Sequence, residues 1–297
     1  MNTDNELEPL VTVCIPTYKR VEGLSRALES VIRQSYTKIK ILVSDNDNSD
    51  EVERLVHLHQ LKGADIVLIR QKNNLGCEGN LMYLLRLVET KYFMWLADDD
   101  WIDPDYIKES VIELESNSEF VLVSGQGILT NESQERYYCD HINLFSNVPL
   151  IRVLKYWSKV LGNSVFYGVY RTSIVRNKHL EVFFGSDILF LTELILEGKV
   201  KTIRKVNIYR ALGGLSASKK YNNSAQHQSF FDQRYLRLRI IKSAVKYFFK
   251  TRGKLTAISY SLLFALVVVW RFIVLQELAR VRIYLKIKTR IKHLIKI

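Results

Sequence analysis

Between residues 10 and 125 two hydrophobic periods alternate, and this alternation limits the fold more than any other feature. Residues 10–15 (LVTVCI) form a short apolar, β-branched run ended by Pro16. Leu24, Ala27, Leu28, Val31 and Ile32 then recur at helical spacing. The same reading predicts strands over 39–43, 66–69, 92–96 and 120–123, and helices over 51–61, 79–88 and 105–115. Strands alternating with helices of about ten residues mean crossover units, hence an α/β fold with a mostly parallel sheet flanked by helices. Ligands of such sheets gather at the carboxyl ends of the strands. The polar clusters Pro16-Thr17-Tyr18, Ser44-Asp45-Asn46-Asp47 and Asp98-Asp99-Asp100 fall at those ends.

The remainder divides by charge and regularity. Residues 1–150 hold 14 basic and 25 acidic side chains, and the rest of the 297 residues hold 29 and 6. After Gln233 there are 16 basic residues and one acid, Glu277. Such a segment needs an anionic partner or a well-solvated face, and nucleic acid and an anionic membrane leaflet are the two candidate partners. Three widely spaced cysteines, Cys14, Cys77 and Cys139, argue against a disulfide framework or a zinc site and suit a reducing cytosol. The opening residues MNTDNELEP have no signal-peptide pattern. Residues 131–149 read as loop-rich, 165–170 as a strand and 199–210 as strand-like. Residues 188–197 read as a helix with Ser186 as N-cap and Gly198 past its end. Three sections follow: 1–125, 126–232, and a basic, apolar helical tail over 233–297.

The tail points to lipid. Residues 255–270 are uncharged and largely apolar, yet fall short of the ~20 residues of a single span. Further on, Ile283, Ile287, Ile291, Leu294 and Ile295 share one helical face flanked by Lys286, Lys288, Arg290, Lys292 and Lys296. That pattern reads as a helix lying in a membrane interface, although 281–288 also alternates like a strand. Whether 255–275 spans the membrane or lies on it stays open. No nucleic-acid module is recognisable, so no nucleic-acid partner is expected.

The strongest local signal is Asp98-Asp99-Asp100. Three adjacent carboxylates repel one another, and packing them at a strand end costs stability unless a cation is bound. Mn²⁺ or Mg²⁺ takes one or two protein carboxylates and completes its shell with phosphates and water. A solvated acidic turn capping the next helix is the plainer alternative. The place of the triplet, after a buried strand and before Pro104, favours the cation.

Several stretches then match one family in order. Residues 11–20 (VTVCIPTYKR), 29–36 (ESVIRQSY), 41–46 (ILVSDN), Asn74-Leu75-Gly76 with Asn80 behind it, and 93–104 closely resemble the opening of family-2 glycosyltransferases. The resemblance covers residues 10–125 well and reaches more loosely to about 216. It implies the GT-A fold, transfer from a nucleotide diphosphate sugar with inversion, and a divalent metal. It places Pro16, Thr17, Tyr18 and Arg20 in the loop that holds the nucleotide, Asp45 against the base, and Asn74, Gly76 and Asn80 along the donor pocket. Asp98, Asp99 and Asp100 correspond to the metal and ribose carboxylates. Asp99 matches the metal ligand, and the relatives' further Asp is Ala97 here. Asp187 corresponds to the catalytic base on the acceptor side, with Ser186 where an acidic residue is usual, and a helix-capping role is its alternative. Residues 163–171 resemble the acceptor-side strand of O-antigen-type members. Arg210 with Gly213-Gly214-Leu215-Ser216 resembles the loop that closes over the diphosphate, and His227 is a weak stand-in for that loop's usual histidine.

The implied protein is a hexosyltransferase of O-antigen, lipopolysaccharide or capsule synthesis. Its acceptor would be a lipid-linked saccharide, and it would sit peripherally on the inner, cytoplasmic face of the cell membrane. Two rivals remain: a nucleotidyltransferase, whose glycine- and arginine-rich first loop is missing here, and a decayed nucleotide-binding scaffold.

Overall fold

The structure is a computed structural model and describes residues 10–130, 136–138, 141–160, 162–180, 186–211, 238, 241–242, 245–246, 248–250 and 253–270. The expected turn at Gly213–Ser216, His227, Cys139 and the amphipathic face from Ile283 to Ile295 lie outside these residues.

The strands are β1 (Val11–Thr17), β2 (Ile39–Asp45), β3 (Ile66–Arg70), β4 (Tyr92–Trp95), β5 (Trp101–Ile102), β6 (Phe120–Thr130), β7 (Arg136–Tyr138), β8 (Val169–Arg171) and β9 (Lys199–Ala211). The helices are α1 (Val21–Ile32), α2 (Asp50–Leu61), α3 (Gly76–Arg86), α4 (Tyr106–Ser116), α5 (Pro149–Lys159), α6 (Thr172–Val175) and α7 (Ser186–Glu197), with a further helix over 254–270. The strands form one sheet in the order β3-β2-β1-β4-β8-β6-β9-β5, and β7 pairs with β6. β1, β2, β3 and β4 pair in parallel, as do β6 and β9, while β8 is antiparallel to both β4 and β6. The expected α/β sheet flanked by helices is therefore present, with six strands in one direction and β5, β7 and β8 running against it. β6 runs unbroken across residue 125, where the sequence reading divides the first two sections.

One apolar layer lies on each side of the sheet. Val13, Ile15, Leu24, Leu28, Val43, Val56, Met94 and Tyr106 share one cluster, and Trp95, Phe93, Leu84, Tyr170, Phe166, Phe190 and Trp157 share the other. In the second, Trp95 stacks on Phe166 at 5.0 Å and meets Phe190 edge-on at 5.5 Å. Alternating residues of β4 thus feed opposite layers, the period-two logic of a strand buried on both faces.

The departures from expectation have local causes. Residues 165–170 were expected as one strand, but Ser164–Tyr167 is a 3₁₀ turn and only Val169–Arg171 is extended. Gly168 separates them, and a Cβ there would lie 2.7 Å from both Leu122 Cδ1 and the Val123 carbonyl oxygen. α5 carries a buried Arg152 on its inner face. Its guanidinium donates to the carbonyls of Ile195 (2.9 Å), Leu196 (3.0 Å) and Ser146 (2.8 Å), so it caps the end of α7 with a cation. Gly198 follows α7 as expected, but its reason is space: a Cβ would sit 2.2 Å from Val121 Cγ1. Ser186 is the first helical residue of α7 rather than the residue before it.

Candidate functional site

The parallel strands β1, β2 and β4 deliver their polar ends to one place. Thr17 and Asp45 close β1 and β2 in register, and the Asn46 amide donates to the Thr17 carbonyl at 2.9 Å. Pro16, one residue earlier, lies opposite Ser44. Beyond β4 the chain turns through the acidic triplet, where the Asp100 amide donates to Ala97 at 3.1 Å. It then enters β5, whose Trp101 pairs with Tyr209 of β9. Gly23 of α1 presses on this turn, since a Cβ there would lie 2.5 Å from the Asp98 carbonyl.

The three carboxylates have different partners. Asp98 is buried and accepts from Thr17 Oγ1 at 2.9 Å, from the Tyr18 amide at 3.4 Å, and from Arg20 Nη2 at 2.7 Å. Asp99 reaches outward and pairs with the other Arg20 nitrogen. Asp100 is buried, receives the Ala211 amide at 3.3 Å, and has Arg210 Nε at 3.5 Å from its Oδ2. Burial pushes the Asp98 carboxyl up to about 6 against the pull of Arg20, with Asp99 adding to the rise. Burial likewise pushes Asp100 up to about 7, opposed by Arg210 and raised further by Asp99.

This donor set fits a hard divalent cation. It offers oxygen alone, and Asp100 Oδ2 is buried without a hydrogen bond. Among the described residues no three His, Cys, Asp or Glu side chains form a ready metal group. Mg²⁺ and Mn²⁺ do not require one, because phosphates and water complete their shells.

Asp45 is fully buried, and its oxygens accept from the Asp47 amide at 3.0 Å and the Ser49 amide at 2.5 Å, which shapes the loop into α2. Asn46 clips α3 alongside: its Nδ2 donates to Asn74 Oδ1 at 3.0 Å and to the Gly76 carbonyl at 3.1 Å. Gly76 has φ +73°, a left-handed conformation suited to glycine. Asn80 is buried beneath, accepting from Ser44 Oγ at 2.6 Å and donating to the Ser44 carbonyl at 3.0 Å. It anchors the end of β2 rather than lining open space.

Asp187 stands in the first turn of α7, partly exposed. Asn163 Nδ2 donates to Asp187 Oδ2 at 2.6 Å, and the Tyr156 hydroxyl donates to Asn163 Oδ1 at 2.8 Å. Asn163 has φ 51°, a conformation Asn tolerates better than most residues. A short run of contacts joins the two acidic regions: Arg210, beside Asp100, reaches Gly162, and the adjacent Asn163 donates to Asp187. Asp98, Arg20 and Asp187 all act electrostatically on the Cys77 thiol in the first turn of α3. Burial pushes the Tyr167 phenol up, Arg210 opposes this, and Asp100, Cys77 and Asp187 add to it. Arg210 lies 4.8 Å over the Tyr167 ring and donates to the Gly162 carbonyl.

Among the described residues these contacts link Thr17, Tyr18, Arg20, Asp98–Asp100, Arg210 and Asp187, Asn46 ties in Asn74 and Gly76, and Asp45 and Asn80 are buried alongside. Sequence reading singled out 163–171 as acceptor-side but gave no role to Asn163, and it missed Tyr156 behind it. It also missed the stack of Arg26, Trp101 and Tyr209 (4.2 and 5.3 Å) bracing the acidic turn. The Gly162–Asn163 pair before an apolar run was the available turn signal.

The family model described as Glycosyl transferase family 2 matches residues 12–177. An uncharacterized glycosyltransferase of Rickettsia typhi is 23% identical over 219 residues, covering 68% of each chain. A Campylobacter jejuni protein named GalNAc(5)-diNAcBac-PP-undecaprenol beta-1,3-glucosyltransferase is 24% identical over 205 residues, covering 68% of this chain and 65% of its own. Among solved structures, S. aureus TarS 1-349 in complex with UDP superposes with a TM-score of 0.56 at 13% identity, covering 80% of both chains. That likeness concerns the fold, which is the GT-A arrangement.

Proposed function

This chain belongs to glycosyl transferase family 2, and from that premise we propose an inverting transfer from a nucleotide diphosphate sugar to a hydroxyl of a lipid-linked saccharide. The observation that carries the reading is the short run of contacts joining two acidic regions: Asp98–Asp100 with Arg20, then Arg210 from Asp100 to the Gly162 carbonyl, and Asn163 on Asp187.

The residues divide the work. Thr17, Tyr18, Asp45, Asn74 and Gly76 border the nucleoside, and Asn80 holds the end of β2 beneath them. Arg20 and Arg210 are placed to pair with the diphosphate through forked donors. Asp99 and Asp100, with Asp98 beside them, would hold Mn²⁺ or Mg²⁺, which when bound neutralises charge on the leaving phosphates. Asp187 takes the proton from the acceptor hydroxyl. The freed oxygen then attacks the anomeric carbon opposite the departing nucleoside diphosphate, which inverts that centre. The UDP of the TarS neighbour supports a nucleoside diphosphate leaving group. The undecaprenol in the Campylobacter relative's name and the basic tail support a lipid-linked acceptor in surface polysaccharide synthesis, met at the inner face of the membrane.

Thermal melting with a panel of nucleotides and nucleotide sugars, each with and without Mn²⁺, tests this. One nucleoside diphosphate is expected to raise the melting temperature in a metal-dependent way, and Asp99→Asn is expected to remove that rise. Silence across the whole panel would sink the reading.

The hydrogen-bonded row behind Asp187 has its own expected effect. Tyr156→Phe deletes the donor to Asn163 Oδ1 and loosens the group that orients the base. Turnover is expected to fall about tenfold, equivalent to roughly 1.4 kcal/mol, with donor KM unchanged. Steady-state kinetics reads both, and an unchanged turnover, or turnover and donor KM moving together, would make Tyr156 a packing residue only.

A further inference from the structure

The helix over 254–270 is apolar on two opposite sides. Ala257, Phe264 and Val268 are buried, and Phe264 meets Trp157 of α5 edge-on at 5.2 Å. Phe248 adds to the same contact, 5.8 Å from Phe264 and 5.7 Å from Tyr260. At 100° per residue the far side gathers Leu255, Ile258, Leu262, Leu266 and Val269. These are 83%, 46%, 64%, 67% and 44% exposed. A surface helix of a water-soluble domain turns polar residues outward, and this one turns out aliphatic ones along its whole length.

Packing and charge select what covers that face. Among the described residues no helix is long and apolar enough to cross a membrane. The inner side of this helix is already held by α5, so it cannot be ringed by lipid. An orientation flat in the interface remains, half in protein and half in acyl chains. Lys242, Lys246, Lys250 and Lys254 precede or open the helix at four-residue spacing and are exposed, and no Asp or Glu occurs from 234 to 276. Anionic headgroups complement that charge. A second copy packed through the same face would set like charges together.

We propose that the Leu255–Ile258–Leu262–Leu266–Val269 face is a docking surface for an anionic bilayer, while the inner face stays packed on α5. The inference rests on the transferase reading in one respect, namely which part of the site it seats. Trp157 Nε1 donates to Thr192 Oγ1 of α7 at 2.9 Å, and α7 carries Asp187 in its first turn. The docked side is thus the side of the base, where a lipid-borne hydroxyl would enter.

Flotation of the full chain with vesicles tests this, comparing pure phosphatidylcholine with vesicles in which part of it is replaced by phosphatidylglycerol. The wild type is expected to float mainly with the anionic vesicles. Leu262→Glu/Leu266→Glu is expected to lower the partition coefficient at least about tenfold, since each leucine contributes strongly to apolar transfer. Both positions are exposed, so its melting temperature and nucleotide response should match the wild type. Equal flotation of the double variant would overturn the proposal. So would a concentration-dependent dimer, lost in the double variant and without vesicle binding, because a second copy would then cover the face. Vesicle binding that depends on these leucines in a protein deaf to every nucleotide would support the docking surface and remove the transferase reading.

Discussion

Asp187→Asn is expected to lower turnover by about 10²–10⁴-fold, the usual range for a positioned general base, while leaving nucleotide-dependent stabilisation in place. The amide is nearly isosteric and can still meet Asn163, 2.6 Å away in the wild type, so the site keeps its shape and loses only its proton acceptor. The competing role is electrostatic support of the start of α7, worth about 0.3–1 kcal/mol for an acid in the first turn. The two roles separate in one pair of measurements. Full turnover with a slightly lowered melting temperature would make Asp187 a helix-stabilising residue and would leave the transfer without its base.

The second large effect has opposite signs in two assays. Asp100→Asn is expected to stabilise the ligand-free protein by about 1 kcal/mol, or roughly 2–4 °C for a chain of this size. It should also abolish the metal-dependent part of nucleotide stabilisation. Asp100 is 3% exposed, stands next to two other carboxylates, and has one oxygen with no hydrogen bond. The nearest cation, Arg210 Nε, is 3.5 Å away and is shared with the Gly162 carbonyl and the Tyr167 ring. Removing the charge relieves repulsion that a divalent cation would otherwise relieve. Melting curves with and without Mn²⁺ read both halves. A fall in ligand-free stability with the metal response intact would make the Asp100–Arg210 pair a structural clasp.

Legibility from sequence followed locality. β1, β2 and β4 each bury both faces and end in a polar cluster, so period and composition located Thr17, Asp45 and Asp98 without knowledge of contacts. α1 was legible for the same reason, since Leu24, Ala27, Leu28 and Val31 are all buried. β5 was missed because its two residues have no period of their own and exist by pairing Trp101 with Tyr209. α5 was missed because Arg152 interrupts its apolar face, and only the carbonyls of Ile195 and Leu196, far along the chain, make that arginine acceptable there. The support of Asp187 depends on Asn163 adopting a left-handed backbone, and Asn is permitted, not required, to do so. Resemblance named the acid, and only coordinates could supply its partners.

The strand that runs against its neighbours has a consequence for synthesis. β8 fills the place between β4 and β6, both of which precede it in the chain. While the polypeptide emerges from a ribosome, β4 pairs with β1 on one side and keeps a bare edge on the other until Val169–Arg171 follow. At 5–20 residues per second that edge stays open for about 4–15 s. During this interval unpaired amides and carbonyls flank the aromatic layer of Phe93 and Trp95, the combination that nascent chains aggregate through. Completion is later still, because β9 must reach Ala211 to close the far side. Holding factors on the emerging chain would have their greatest effect in that window, and slowed translation after residue 171 would be better tolerated than slowed translation before it.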